Sequence, residues 1–553
     1  MPAPDRLLIQ LVQLNQSVGD MRANADRMLA EQRLAAEAGA DLVIFPEMQL
    51  VGYPPEDLVL KPALQAQAAA ELARMAQEGA DGPGMLVGTV AVRDGKLHNA
   101  EALLDRGTVQ LTLKHDLPNY GVFDEKRVFA PGPLPEPLVF RGIALGVPVC
   151  EDMWFPRVCG HLAARGAEIL IAPHGSPFEV DKDDRRLDEI AGARVRETGL
   201  PLVFLNRVGG QDELVFDGAS FVLNGDGTVA LGMADWEKER VLTTWTRTGG
   251  GWRCEPGEVH PLDPAPADTY HALVIGLRDY VSRNRFPGVI LGLSGGIDSA
   301  LAAAIAADAL GPDKVWAVML PSRYTGRESL EDAEACARLI GCRHDVIPIE
   351  PAVEAFGTML GAHLDESEPG LAEENIQSRA RMMVLMALSN KHGPMLISTA
   401  NKSELAVGYG TLYGDMSGGY AVLKDIYKTG VFALSRWRNG GRPALALGPD
   451  GPVMPGRVLT KPPSAELRPD QKDEDSLGSY DRLDRILHGL VEEECDVDTI
   501  AARGFDREEV ARVERMLTVS EHKRRQAPPG PKVSRRNFGR DRRYPISHGF
   551  RTA

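Results

Sequence analysis

One short stretch, VILGLSGGIDS at residues 289–299, limits what this chain can fold into more than any other. An apolar run of strand character empties into a glycine-rich turn, and an alanine-rich run, LAAAIAADAL, follows it as a helix. A helix start leaves several backbone N–H groups without partners, and glycines let further amides come close, so the turn suits an anion, above all a phosphate. The residues expected to cradle it are Gly292, Leu293, Ser294, Gly295, Gly296, Ile297, Asp298 and Ser299. Asp298, at the helix entrance, is placed to position a metal ion on that phosphate, with Mg2+ the default at a phosphate-bridging site. The turn lacks the GK[ST] ending of a Walker A loop, and with it the lysine that reaches the terminal phosphates. ATP is therefore expected as a co-substrate, cleaved between its α and β phosphates.

A chain of 553 residues is too long for a single core, and two large domains suit the motif layout. It is 43% hydrophobic and 25% charged, a globular composition, with no apolar run long enough to span a bilayer. The start, MPAPDRLLIQLVQLNQ, has no basic region before its apolar stretch and is read as a first core strand rather than a signal peptide. Six cysteines with no CxxC pair argue against a disulfide framework or a zinc site and suit a reducing cytoplasm. A net charge of −16 disfavours nucleic acid and anionic membranes as partners. Against that trend, residues 522–543 carry nine Lys or Arg and one Asp, which suits a solvated or inter-subunit surface tail, then a basic lid over an anionic substrate, and least of all a nucleic-acid contact.

Two blocks of alternating strand and helix patterns flank a Gly- and Pro-rich connector at residues 249–270. The expected domains are residues 1–250 and 268–553, with 251–267 as linker. The first block holds many strand-like runs, among them LLIQLVQL, DLVIF, VQLTL, IALGVPV and AEILIAP, separated by helix-like stretches. The second alternates VILGL, VWAVMLP, DVIPI and MLIS with helices, the rhythm of a doubly wound, Rossmann-like parallel sheet. Residues 437–457, rich in Gly and Pro, read as a surface loop.

In the first block three reactive residues stand where strand-like runs stop: Glu47, Lys114 and Cys150. Strand ends are where open α/β sheets place their chemistry. Attack on an amide carbon, the chemistry implied by the resemblance that the surroundings of these residues carry, needs a thiolate-like sulfur, and a thiol with an ordinary pKa near 8.5 needs a base to take its proton. Glu47 suits that base, Cys150 the nucleophile, and Lys114 the cation that stabilises the oxyanion. The surroundings FPEMQLVGYPPEDL, LKHDLPNYGVFDEKRVF and VPVCEDMWFP resemble the nitrilase superfamily, the carbon–nitrogen hydrolases, over about the first 250 residues. That resemblance implies an α-β-β-α sandwich, gives Glu125 a supporting role, and places glutamine against Tyr120, Ser176 and Lys182.

The second block resembles the N-type ATP pyrophosphatases at its turn and the ammonia-using NAD synthetases in ENIQSRARM, STANKSELAVGYGTLYGD and LTKPPSAELRPDQKDED. Taken end to end the chain is similar to the glutamine-dependent NAD synthetases. That resemblance implies a ligase that takes glutamine, ATP and deamido-NAD to NAD, glutamate, AMP and pyrophosphate, with ammonia passed internally, in a cytoplasmic homo-oligomer. It assigns Thr399, Lys428 and Ser464 to ATP, and Asn375, His522 and Lys523 to deamido-NAD. Glu404 binds the metal with Asp298 or contacts the dinucleotide, while Arg379 and Arg381 remain open to a purely solvated role. The rival readings are an amidotransferase of the same plan with another acceptor, and a non-catalytic module on the amidase fold.

Overall fold

The run RLLIQLVQ forms the strand Arg6–Gln13, whose last five residues are all buried, because sheet neighbours lie on both its edges and packed layers on both its faces. It pairs antiparallel with Glu239–Thr248 and parallel with Leu42–Ile44. The computed structural model describes residues 4–182, 185–361, 363–364, 370–469, 471 and 473–550. They fall into two compact units, the first Met1–Gln211 with Val215–Asp263, the second Pro264–Ala553 with Asp212–Leu214.

In the first unit a seven-stranded sheet runs, in spatial order, Gly251–Cys254, Glu239–Thr248, Arg6–Gln13, Leu42–Ile44, Gly84–Arg93, Lys96–Asp105 and Thr108–Leu113. A six-stranded sheet runs Val229–Gly232, Phe221–Leu223, Leu202–Asn206, Ile169–His174, Ile143–Gly146 and Leu138–Phe140. Leu7, Ile9 and Leu11 of the first sheet share one core with Ile169, Ile171 and Val203 of the second, so the sheets pack face to face. On the far face of the second sheet, Ala172 and Phe204 meet Val158, Leu162 and Val195 of the helices Pro156–Ala164 and Gly192–Thr198. With Met21–Glu37 and Pro62–Glu78 beside the first sheet, the layers are α-β-β-α.

The connector read at residues 251–267 contributes its own strand. Gly251–Cys254 pairs with the edge strand Glu239–Thr248, burying Trp252 and Cys254 in alternation. Three glycines in a row hide that alternation, and only two side chains carry it.

The second unit is built on a five-stranded, wholly parallel sheet in the order Arg343–Val346, Val315–Met319, Val289–Gly292, Met395–Ser398 and Tyr420–Ala421. The order reverses direction at Val289–Gly292, the place where open α/β sheets bind ligands beyond their strand ends. Helices Ala267–Arg283 and Ile297–Leu310 pack together, while Leu371–His392 sends Ala380 and Leu385 into the core with Ile290, Val318 and Leu396. Residues 437–457 are not a free surface loop. Arg438, fully buried, donates to Asp308 at 2.6 Å and to the carbonyls of Gly441, Pro449 and Gly451, and Asp308 also accepts from the Tyr270 hydroxyl. One guanidinium thus satisfies a buried carboxylate and ties down the segment that covers it.

Candidate active sites

Glu47, Lys114 and Cys150 come from three separate strand ends of the first unit and meet in its interior. Each is at most 5% exposed. The Lys114 ammonium donates to Glu47 Oε1 at 2.8 Å and to Glu125 Oε1 at 2.9 Å. Glu47 is held further by the Asn99 amide at 2.7 Å and the Gly175 N–H at 2.9 Å, and Glu125 by the Tyr53 hydroxyl at 3.0 Å. Gly175 permits this because any Cβ there would press on the Tyr53 ring at 3.0 Å and on Glu47 Oε2 at 3.1 Å.

Cys150 has φ 48° and ψ −99°, in the left-handed half of backbone space that non-glycine residues avoid. Its N–H donates to the Pro173 carbonyl at 3.0 Å, and the four-residue helix Glu151–Trp154 begins directly after it. Strain of this kind, held by surrounding bonds, is a recurrent feature of reactive turns. Burial pushes the Cys150 thiol well above its ordinary range, the Glu47 charge pushes it further, and Lys114 opposes them. The resting sulfur is therefore protonated and needs a base. Burial also pushes the Glu47 carboxyl up, but Lys114 and Asn99 together outweigh it and hold Glu47 ionised. Burial alone would strip the Lys114 proton; Glu125 and Glu47 hold it on instead. Glu125 is pushed up to about 7, first by burial and then by Glu47 against the pull of Lys114.

The three residues assigned to glutamine border this centre. The Tyr120 hydroxyl donates to the Glu151 carboxylate at 3.1 Å. The Ser176 N–H donates to Asn206 Oδ1 at 3.0 Å, and its hydroxyl oxygen accepts from Arg186 at 3.2 Å. Lys182 donates to the Pro177 carbonyl at 3.0 Å and lies 5.8 Å from the Trp154 ring centre. Sequence reasoning missed Asn99, Tyr53, Arg186, its buried ion-pair partner Asp217, and Asp152. Asp152 accepts from the N–H groups of His115, Asp116 and Val149 at 3.0, 2.6 and 3.1 Å, fastening the residues after Lys114 to the strand end before Cys150.

Burial raises the Asp152 carboxyl to about 7. The folded chain then holds a proton that the unfolded chain releases near pH 4, so between these values the wild type loses stability as pH rises, whereas an amide at this position does not titrate. Asp152→Asn is expected to be less stable than wild type at pH 5, through a lost acceptor, with a deficit that narrows by pH 8. Urea midpoints at the two pH values check this, and a deficit that widens with pH would contradict it.

In the second unit the strand Val289–Gly292 delivers the glycine-rich turn to the helix Ile297–Leu310. The Ser294 N–H donates to Ser299 Oγ at 3.2 Å, the two hydroxyls lie 3.1 Å apart, and the Gly296 N–H donates to Ser294 Oγ at 3.3 Å. The turn opens on a cavity of about 290 Å³ whose lining includes every residue assigned to ATP, from Gly292 to Ser299 with Thr399, Lys428 and Ser464, and also Glu404. Lys428 Nζ donates to Asp298 Oδ2 at 2.5 Å and to Glu404 Oε1 at 3.4 Å, and the Asn401 amide donates to Asp298 Oδ1 at 2.9 Å. Burial lowers the Lys428 ammonium, but Asp298 and Glu404 outweigh it and raise it above the ordinary lysine range. Glu404 is pushed up to about 8 by burial, against Lys428 and with Asp298.

Of the residues assigned to deamido-NAD, Glu404 lines this cavity and Asn375, His522 and Lys523 do not. Asn375 Oδ1 accepts from Thr411 Oγ1 at 2.8 Å, Lys523 donates to the carbonyls of Gly408 and Gly410 at 2.7 and 2.8 Å, and His522 Nδ1 lies 2.9 Å from the Val519 carbonyl. Asn375 and Lys523 therefore brace the loop at 408–411, beside a second cavity of about 50 Å³ that Gly410, Glu404 and Asp415 line. Arg379 and Arg381 are not merely solvated, donating to the carbonyls of Leu412 and Leu320 at 3.1 and 2.9 Å. Nor is the basic stretch after residue 522 a loose tail: Arg524 is buried on the Ala406 carbonyl at 2.6 Å, and Arg542 pairs with Glu521 at 2.9 Å.

The family model for carbon–nitrogen hydrolases matches residues 8–246, and that for NAD synthase matches residues 269–527. The glutamine-dependent NAD(+) synthetase of Rhodobacter capsulatus is 50% identical over 548 residues, covering 99% of both chains. That of Acinetobacter baylyi is 45% identical over 550 residues, covering 98% of both. The solved structure of the glutamine-dependent NAD+ synthetase of Acinetobacter baumannii, in complex with ADP, is 40% identical and superposes with a TM-score of 0.77 over 98% of each chain. A carbon–nitrogen hydrolase unit followed by an NAD synthase unit, similar to such enzymes from end to end, makes this chain a member of the glutamine-dependent NAD synthetases.

Proposed function

We propose that Cys150, Glu47 and Lys114 release ammonia from glutamine, and that the residues around the turn at 292–299 use it to amidate deamido-NAD. The observation that carries the first half is the buried Lys114 ammonium bridging two carboxylates beside a buried cysteine on a strained turn. Cys150 Sγ attacks the side-chain amide carbon of glutamine as Glu47 takes the thiol proton. The oxyanion forms beside Lys114, whose charge needs no reorganisation. The proton passes from Glu47 to the leaving nitrogen, ammonia departs, and a thioester remains. Water deprotonated by Glu47 then releases glutamate and restores the thiol. Tyr120, Ser176 and Lys182 would hold the polar groups of the amino acid, and Glu125 keeps Lys114 charged and in place.

In the second unit a carboxylate oxygen of the nicotinate ring attacks the α phosphorus of ATP, and pyrophosphate leaves across the turn amides and Lys428. Ammonia attacks the resulting mixed anhydride, AMP departs, and the carboxamide of NAD is formed. Asn375, His522 and Lys523 would meet the dinucleotide, and Thr399 and Ser464 the ATP. Asp298 and Glu404 suit a hard cation, since their carboxylates converge on one ammonium beside the phosphate turn. Among the described residues no cluster of three or more His, Cys, Asp or Glu is arranged to hold a metal. Mg2+ bound there would neutralise charge on the departing pyrophosphate.

Ammonia is mostly ammonium at neutral pH, and a consumer fused to its source gains by passing it on without release. A homo-oligomeric enzyme of a reducing cytoplasm belongs to the same proposal, the compartment alone being supported by six cysteines that are all free. The test is competition between isotopes. With [amide-15N]glutamine and a large excess of unlabelled ammonium at pH 7, NAD is expected to carry the label in nearly every carboxamide. Label diluted to the bulk ratio would show that ammonia equilibrates with solvent first.

A further inference from the structure

Both partners of Lys428 are the carboxylates suited to the metal, although Lys428 itself is suited to the phosphates. Its Nζ bonds Asp298 Oδ2 and Glu404 Oε1, its side chain is 1% exposed, and its backbone N–H is fixed by Ser403 Oγ at 2.9 Å at the start of the helix Lys428–Asn439. The two carboxylates are held in position independently of it. Asn401 bonds the other oxygen of Asp298 at 2.9 Å, and in a reciprocal cap its N–H donates to Glu404 Oε2 at 3.4 Å while its Oδ1 accepts from the Glu404 N–H at 3.0 Å. Two carboxylates fixed this close repel each other when both are ionised, unless a cation lies between them.

Resting on the ATP and metal reading above, we propose that Lys428 is the resident counter-ion of Asp298 and Glu404 in the ligand-free protein, and that a divalent cation arriving with ATP replaces its ammonium on them. The displaced ammonium, on a four-carbon stem pivoting on a fixed backbone, is then free for phosphates at the turn that lines the same cavity. There is one place for a cation before nucleotide binds and there are two after it. A divalent ion alone must compete with an ammonium already in position, whereas a divalent ion with nucleotide gives that ammonium another anion to meet. Metal and nucleotide are thereby coupled through one side chain.

Mn2+ binding to the full-length chain, read from loss of the free-ion EPR signal, tests the exchange. Mn2+ is titrated alone and with an ATP analogue that cannot be cleaved between its α and β phosphates. Wild type is expected to bind Mn2+ weakly alone and tightly with the analogue. Lys428→Met is expected to bind Mn2+ alone at least about tenfold more tightly than wild type, the scale of one partly buried charge contact. Lys428→Arg, which keeps the charge, is expected to stay weak. Wild type that binds no Mn2+ even with the analogue overturns the metal reading and the exchange together. Wild type that binds with the analogue, beside a Met variant no tighter alone, overturns the exchange only. Circular dichroism establishes folding, and Lys428→Gln supplies the same comparison if the Met variant does not fold.

Discussion

In Cys150→Ala, NAD formation driven by glutamine is expected to fall at least about ten-thousandfold, because loss of the nucleophile closes the covalent route altogether, while formation driven by ammonium stays near the wild-type rate. The substitution is clean for a structural reason. Alanine keeps the Cβ that already sits at φ 48°, so the strained turn is no more strained than before, and the N–H that anchors it to the Pro173 carbonyl is untouched. Only the sulfur goes. Glu47, Lys114 and Glu125 keep their mutual bonds, since none of the bonds that hold them involves the thiol. The ammonium reaction needs neither thioester nor oxyanion at this centre. NAD formation with each nitrogen source, measured side by side, separates the two chemistries. Glutamine-driven synthesis that survives the substitution would remove Cys150 from the mechanism. Loss of both reactions would show that the sulfur matters to the synthetase as well.

What was legible in the sequence and what was not divides along a physical line. The three reactive residues of the first unit each close an apolar strand run, and the phosphate turn is written in eleven consecutive residues; local pattern reaches both. The partners that give those residues their charge states are long-range. Asn99 approaches Glu47 across 52 positions, and Lys428 approaches Asp298 across 130. No periodicity marks such a meeting, and a buried asparagine inside KLHNAEALL looks like any polar residue in a strand. The same limit hid the anchoring of residues 437–457, where a Gly- and Pro-rich composition reads as exposed until Arg438 is seen to bond three of the segment's own carbonyls. It also hid how much of the basic stretch after residue 522 is structural, because Arg524 and Arg542 answer carbonyls and a carboxylate that folding places there. Charge in a sequence names an electrostatic need but not the group that meets it.

Gly295→Ala is expected to abolish synthesis from either nitrogen source, by at least about a thousandfold or about 4 kcal/mol of transition-state stabilisation, while glutamate release in the absence of ATP persists. Gly295 has φ +81°, a conformation glycine adopts without penalty and alanine does not. A Cβ there would stand 2.3 Å from the Ser329 carbonyl oxygen and 3.0 Å from the carbon behind it. The obstacle is backbone in the first turn of the helix Arg327–Ile340, so no rotamer change relieves it. Nor is that helix free to retreat, because the Ser329 hydroxyl bonds Glu466 at 2.5 Å and Lys461 at 2.7 Å, and Glu466 also accepts from the Gly326 N–H at 3.1 Å. The turn must move instead, carrying with it the Ser294 and Gly296 amides that converge on the Ser294 and Ser299 hydroxyls. A displacement of about 1 Å is enough to cost two orders of magnitude when reacting groups are held for in-line transfer, and in the proposed mechanism the donors to the leaving phosphate shift as a set. Steady-state synthesis with glutamine and with ammonium, beside glutamate release without nucleotide, reads both units from one preparation. A variant that still makes NAD within tenfold of wild type would mean that the turn's geometry is not what holds the phosphate.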